Sequence, residues 1–470
     1  MLSSRLTSIV GPRWVKQRPA ELAAYDTDAL PGYRAQPRLA VFPGTREALV
    51  EVVRVLADAK APFVPRGAGT GLSGGSLADD VVLLGLNRLT RIINVDGDNR
   101  IAHVEPGVVN ARLSRAVAPL GLHYAPDPSS QTVCTIGGNV AENAGGPHCL
   151  KYGVTLNHIV ALNVVLPTGE VRKLGDPFGE SDGYDLLGLF VGSEGCFGVA
   201  TDVWVRLVPL PQTVRTLLAD FHSLHDAASA VSAIVATGIV PAALEMMDNP
   251  TIRAVEASVY AAGYPTDAEA ILLVEVDGLE AGLQEDVEAI SRCCRENGAR
   301  EVRVAATDDE RARLWQGRKK AFGAMGRIAR ALVVQDAVVP RTRLPEILDA
   351  IARIGKHHGV KVCNVFHAGD GNLHPNIPYD PNEPGAAERV HAAMTEIMSA
   401  CIEAGGTITG EHGVGLDKLD YMPQLFDADS LAMMCGVRDA FDPDRVANPG
   451  KVVPVKSCRE WSGVRHLQHA

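Results

Sequence analysis

The chain is poor in aromatic residues, which fill 5% of its 470 positions, and it has no surplus of basic ones. Its 45 Lys and Arg face 56 Asp and Glu, a net charge of −11. A general nucleic-acid binder needs a concentrated excess of Lys and Arg to meet phosphates, so that class is excluded. The nine cysteines form no C-x-x-C pair and no ferredoxin-type run, and Cys293 and Cys294 are adjacent. This usage predicts reduced thiols in a cytoplasmic protein that carries no iron–sulfur cluster of its own. Long hydrophobic runs are also lacking. The longest, 227–244, is interrupted by Ser229, Ser232 and Thr237 and breaks at Pro241, which predicts a helix of a soluble protein and no transmembrane segment. Arg5, Arg13, Lys16 and Arg18 precede the first acidic residue, Glu21, but no apolar stretch follows them, so the N-terminus reads as a short capping helix.

What the chain does have is 46% hydrophobic residues, 46 glycines and 29 prolines, enough for a large core and for backbone packed closely against a ligand. From 37 to 208 the pattern is strand-rich. Strands are expected over 63–65, 81–86, 159–166, 169–173 and 199–207, with helices over 47–60 and 111–120. Pro209, Pro211 and Gln212 read as a linker. Beyond it strands (215–221, 243–247, 271–277, 301–305) alternate with helices (225–237, 250–260, 280–297, 308–330), which predicts a second α+β domain with a helix-covered sheet.

Residues 65–75, Pro-Arg-Gly-Ala-Gly-Thr-Gly-Leu-Ser-Gly-Gly, place five glycines in eleven positions. Successive unobstructed N–H groups form a concave nest for phosphate oxygens. The Gly69-x-Gly71-x-x-Gly74 spacing fits a dinucleotide fingerprint and Gly71-x-Ser73-x-Gly75 a nucleophile elbow. Both require a helix next, whereas here an apolar strand follows, so both readings fail. A second glycine cluster spans 135–147 behind the turn Asp127-Pro128-Ser129-Ser130, and a third is Gly192-Ser193-Glu194-Gly195-Cys196-Phe197-Gly198-Val199.

Near the C-terminus lies His367-Ala368-Gly369-Asp370-Gly371-Asn372-Leu373-His374-Pro375-Asn376. Asp-Gly favours a two-residue hairpin turn, so Asp370 and Gly371 are expected at the tip with His367 opposite His374. Opposed Cβ atoms about 4.5–5.5 Å apart let two imidazoles share a divalent metal. Asn376 points to the same face as His374. Gly410-Glu411-His412-Gly413 offers a carboxylate as third ligand and an imidazole as a base.

In this order the three glycine clusters resemble the vanillyl-alcohol-oxidase/p-cresol-methylhydroxylase (PCMH) type of FAD-binding domain. The C-terminal motifs, with Asn448-Pro449-Gly450-Lys451, resemble the FAD-linked oxidase C-terminal domain of D-2-hydroxy acid dehydrogenases, the family of glycolate-, D-lactate- and D-2-hydroxyglutarate-oxidising flavoproteins. The resemblance implies an α+β architecture. A helical segment (1–35) precedes a PCMH-type FAD-binding domain of two α+β subdomains (36–211). A FAD-linked oxidase domain (212–455) with a helix-covered antiparallel sheet follows, then a tail (456–470). It implies that Arg66, Gly67, Ala68, Gly69, Thr70, Gly71 and Ser73 wrap the FAD pyrophosphate. Pro128, Ser130, Gly137, Gly138, Asn143, Gly145, Val199 and Asn448 would line the remainder of the cofactor. Some members bind flavin covalently through His or Cys. The first loop has no His, and a noncovalent flavin is expected although His148 and Cys149 lie near the second cluster. His367, His374 and Glu411 would hold zinc or manganese, His412 would be the base, Asn376 would contact substrate, and Arg318 would bind the substrate carboxylate.

The implied activity is oxidation of a small 2-hydroxy acid, glycolate or D-lactate, with electrons passed to an external acceptor such as an iron–sulfur partner subunit. That implies a homo- or hetero-oligomer in the cytoplasm, or peripheral to the inner membrane through a partner. Where 2-hydroxyglutarate enzymes place a lysine, this chain has Val333-Val334, which disfavours that dicarboxylate. Two readings of another class are a metal-dependent hydrolase using the same His/His/Glu set and a flavin-holding subunit without turnover.

Overall fold

The structure is a computed structural model that describes residues 2–179 and 183–454; the tail expected over 456–470 lies outside them. Two compact units are found. The first comprises 1–145, 154–210 and 411–470, and the second 146–153 and 211–410. The described residues from Glu411 to Pro454 fall in the first compact unit.

The first unit holds two larger sheets and a two-stranded pairing of Leu122–His123 with Val208–Pro209. In one, β1 (Leu39–Val41) and β2 (Phe63–Arg66) both run parallel to the central β3 (Val82–Gly85). The other is a five-stranded antiparallel sheet of β4 (Ile92–Asp96), β5 (Ile101–Val104), β6 (Ile159–Val165), β7 (Val171–Gly175) and β8 (Val199–Arg206), in the order β4-β5-β8-β6-β7. Helix α1 (Leu2–Val10) buries Leu6 in the core of the first sheet. Helix α2 (Arg46–Asp58) starts where Thr45 Oγ1 accepts from Ala48 N at 3.1 Å, and its Leu49, Val52, Val53 and Leu56 form the buried stripe. Helix α3 (Asn110–Val117) covers the second core with Leu113 and Val117. The second glycine cluster is partly helical: Thr135 caps α4 (Ile136–Glu142), accepting from Gly138 N. Two glycines in seven residues hide this short helix from propensity.

In the second unit every strand pairing is antiparallel. The sheet runs β12, β9, β11, β10, β14, where β9 is Thr213–Phe221, β10 Ala243–Asp248, β11 Ala270–Gly278, β12 Ala299–Val304 and β14 Cys363–His367. Strand β13 (Ala331–Val334) pairs with β15 (Pro375–Tyr379), which returns to β14. Helices α5 (Leu224–Ala236), α7 (Glu280–Glu296), α10 (Leu344–His358) and α11 (Ala386–Glu403) form a layer, with α5 and α7 on the strands. On the opposite face α6 (Asn249–Glu256), α8 (Asp308–Lys319) and α9 (Ala321–Met325) close over Leu218, Met247, Ile271, Cys363 and Val365. The single helix expected over 308–330 is therefore broken at Lys320.

That face is apolar at one end and polar at the other. Met247 and Glu245 share a side of β10, as do Val365 and His367 of β14, and Ile271 and Glu275 of β11, because side chains alternate with period two. The hydrophobic end anchors the sheet and leaves the polar end on rigid strands.

Candidate functional site

The histidine hairpin differs from expectation in register. His367 pairs with Asn372 rather than His374, and Asn364 and Cys363 pair with Pro375 and Asn376. A two-residue I′ turn needs positive φ at both central residues. Here only Gly371 has it, at 79°, so 368–371 form a four-residue loop, and Gly371 O accepts from Val339 N at 3.0 Å. The two histidines become diagonal neighbours on one face, still within reach of each other. Their rings stand 5.2 Å apart, nearly perpendicular at 86°.

Each ring is oriented through Nδ1. His367 Nδ1 lies 2.7 Å from Glu245 Oε1, and His374 Nδ1 lies 3.2 Å from the Gln335 carbonyl. Acceptors at both Nδ1 atoms put the protons there and the lone pairs on Nε2, the tautomer that ligates a metal through Nε2. This donor set has the chemistry to fit a divalent cation. Glu245 is fully buried and also forms an ion pair with Arg318. Burial raises its pKa, but Arg318 and His367 outweigh that and hold it below the ordinary carboxylate value. Arg318 Nε is buried and has no hydrogen-bond partner among the described residues, as is Asn376 Oδ1, while Asn376 Nδ2 donates to His374 O at 2.6 Å. One unsatisfied donor and one unsatisfied acceptor therefore accompany the histidines, which suits a hydroxy carboxylate.

Glu245 and Asp336 escaped sequence reading. Asp336 is buried and accepts from Thr409 Oγ1 at 2.6 Å and Gly410 N at 3.1 Å, anchoring the peptide that leads into Glu411. Neither lies near the hairpin in sequence; only strand register joins Glu245 to His367 across 122 positions. His148 Nε2 sits 3.3 Å from Glu275 Oε1 in this same unit, its ring stacked on Trp315.

The first unit gathers the glycine clusters. A Cβ at Gly67 would stand 2.5 Å from Thr135 Oγ1, so the first loop meets the cap of α4 only because that side chain is absent. Ser73 Oγ and Ser193 Oγ, from the first and third clusters, are buried without partners among the described residues. Two orphaned hydroxyls within glycine-rich clusters fit a phosphate- and hydroxyl-rich ligand such as FAD.

Several residues of these clusters, and Asn448, make side-chain hydrogen bonds within the protein. Arg66 donates to the carbonyls of Thr27 and Tyr25, at 2.7 and 3.5 Å. Asn448 donates to the carbonyls of Gly75 and Glu194, at 2.9 and 2.5 Å, and accepts from Lys451 Nζ at 2.8 Å. Val199 lies in the core and pairs with Val165, and Asn143 Oδ1 accepts from Leu156 N. These side chains hold the cradle in shape. Pro128 and Ser130 form the turn before α4, their carbonyls accepting from Gln131 N and from Val133 and Cys134 N. Gly137 N donates to Pro106 O.

Beyond Gly410, Glu411 Oε1 and His412 Nε2 are 3.8 Å apart. Val414 N and Gly415 N each donate to one oxygen of Glu194, at 2.7 and 2.8 Å. Burial pushes Glu194 up to about 7, opposed by those two N–H groups. Glu142 beside it is raised well above the usual value, first by burial and then by the Glu194 charge. Lys451, buried and bonded to the carbonyls of Gly75 and Leu77, is lowered by burial to about 8.

Comparison with known proteins bears on both units. Residues 37–175 match the FAD binding domain family and 210–452 the FAD linked oxidases, C-terminal domain family. Glycolate oxidase subunit GlcD of Escherichia coli (strain K12) is 48% identical over 96% of this chain and 90% of that protein. A D-lactate dehydrogenase of Anaerostipes hadrus is 34% identical over 89% of this chain and 90% of its own length. The crystal structure of p-cresol methylhydroxylase with substrate bound superposes with a TM-score of 0.82, covering 97% of each chain at 16% identity, a likeness of fold. A PCMH-like fold, the two matched domains and relatives at this identity lead to one conclusion: the chain belongs to the FAD-linked oxidases and is an oxidoreductase.

Proposed function

We propose that this protein oxidises a small D-2-hydroxy acid, glycolate or D-lactate, to the 2-oxo acid with noncovalently bound FAD and a divalent metal, zinc or manganese. The observation that carries the reading is the polar end of the second unit's sheet, where two histidines with Nε2 as ligating atom stand beside the unsatisfied Arg318 Nε and Asn376 Oδ1. The names of the relatives, glycolate oxidase subunit and D-lactate dehydrogenase, support the substrate class. Val334 faces Asn376 across the β13–β15 ladder, where a second substrate carboxylate would want a cation, which favours a monocarboxylate.

Arg318 keeps donors beyond the one paired with Glu245 and binds the substrate carboxylate by a charge-assisted bond. Asn376 contacts the substrate beside the hairpin. His367, His374 and Glu411 hold the metal, and His412 takes the hydroxyl proton. When bound, the metal would supply a lower pKa for the substrate hydroxyl and FAD would supply the hydride acceptor. Residues 66–73 contact the pyrophosphate through backbone N–H groups, with the Pro128–Ser130 turn, Gly137, Gly138 and Gly145 along the remainder of the cofactor.

Electrons leave to an external acceptor, an iron–sulfur partner subunit being the kind expected of a chain similar to one named a subunit. Among the described residues no helix is long and apolar enough to cross a membrane, and we place the protein in the cytoplasm or at the inner membrane through that partner. Anaerobic mixing with a panel of D- and L-2-hydroxy acids tests the reading. Glycolate or D-lactate should bleach the flavin, and 2-hydroxyglutarate should do so poorly. A yellow protein that none of them bleaches overturns it, and a colourless one points to hydrolysis.

A further inference from the structure

We propose that Glu245 is a positioning residue that fixes His367 for metal binding, with Arg318 as the counter-charge that keeps its carboxylate inside the sheet. The inference rests on the reading that the hairpin binds a divalent cation.

The β10–β14 register sets Glu245 directly opposite His367. Directly paired residues on adjacent strands project to the same face, so neither side chain has to bend to reach the other, and Oε1 meets Nδ1 at 2.7 Å. The second carboxylate oxygen faces Arg318, delivered by the buried side of α8 along with Leu314 and Trp315. Helix α8 is itself held at this point, since Tyr264 Oη donates to Leu314 O. Burying an unpaired carboxylate is costly, and here one cation and one imidazole N–H satisfy it. The consequence is a short relay of Arg318 to Glu245 to His367, in which the ring plane and the Nδ1–H tautomer are both set before any ligand arrives. Carboxylate partners of this kind raise the basicity of a ligating imidazole, and their loss typically costs about 10–100-fold in metal affinity.

The test is Zn²⁺ affinity of the metal-stripped flavoprotein, read by competition with a chromophoric chelator. Wild type should bind tightly and Glu245→Gln about 10–100-fold more weakly. Because this substitution leaves Arg318 buried without its carboxylate, the double variant Glu245→Gln with Arg318→Gln is measured beside it. The double variant should recover thermal stability while its Zn²⁺ affinity stays low. Equal affinity in wild type and Glu245→Gln overturns the inference alone. Recovery of affinity together with stability in the double variant overturns it too, since Glu245 would then serve only as Arg318's ion partner. Absence of Zn²⁺ binding in wild type overturns both this inference and the metal reading beneath it.

Discussion

The two units build their candidate sites from opposite materials. The cradle of the first consists of backbone and hydroxyls, and the charged or amide side chains near it, Arg66, Asn448 and Lys451, spend their hydrogen bonds on carbonyls of the protein itself. The centre of the second consists of ionisable side chains: His367 and Glu245 on strands, Arg318 on a helix, and His374 just before β15. The difference teaches that a motif's polar side chains can serve the loop that carries them. A nest works by leaving N–H groups uncovered, so its polar side chains hold the loop; a metal or carboxylate site works by side-chain charge, so its backbone is plain ladder.

The contrast can be broken most severely at His412, outside both sets of materials. His412→Ala should lose about 100- to 10,000-fold in turnover and remain yellow, as expected for loss of a general base; near-normal turnover removes His412 from the mechanism. Next comes charge in the second unit. Arg318→Met leaves Glu245 buried without its cation and should cost about 3–5 kcal/mol in denaturant unfolding. In the first unit the corresponding change is milder: Asn448→Ala strips donors from two buried carbonyls and should cost about 1–3 kcal/mol, with weaker FAD retention on dilution. A loss at Asn448 as large as that at Arg318 would erase the contrast.

The smallest effect concerns Glu142 and Glu194, the charged exception within the backbone cradle. Both are raised in the folded state, Glu194 to about 7 and Glu142 well above its ordinary 4.5. The folded protein therefore binds protons more tightly than the unfolded chain, and this contribution to stability is present below about pH 4.5 and lost as pH rises through 7 and beyond. Glu142→Gln should melt like wild type at pH 5 and above it at pH 8. Parallel melting curves across that range would show that the pair shares no proton.

Much of the fold was legible. Leu49, Val52, Val53 and Leu56 announce α2 by their spacing, and the apolar run within 270–278 announces a strand buried on both faces. Strand β4, short and largely unburied, and α4, with its two glycines, carry no such period. The break at Lys320 was equally invisible, because its sequence neighbours are ordinary helix formers. At the site, residue types and spacing name His367, His374 and Asn376, and the family resemblance adds Arg318, yet the turn is longer than Asp-Gly suggests. Asp-Gly is compatible with two loop lengths, and the choice fell to the contact of Gly371 with Val339, a residue more than thirty positions away.

From the chain alone came what depends on neighbours in sequence: glycine nests too bare for any role but close approach, histidines spaced to share a face, and the absence of a helix after the first nest. Tertiary structure alone decided what depends on partners far along the chain. It set which way Arg66 and Asn448 turn, the diagonal rather than opposed histidines, and the carboxylate of Glu245 behind His367. Local patterns follow from backbone period and sterics, whereas the satisfaction of a buried charge or carbonyl depends on whichever strand the fold brings alongside.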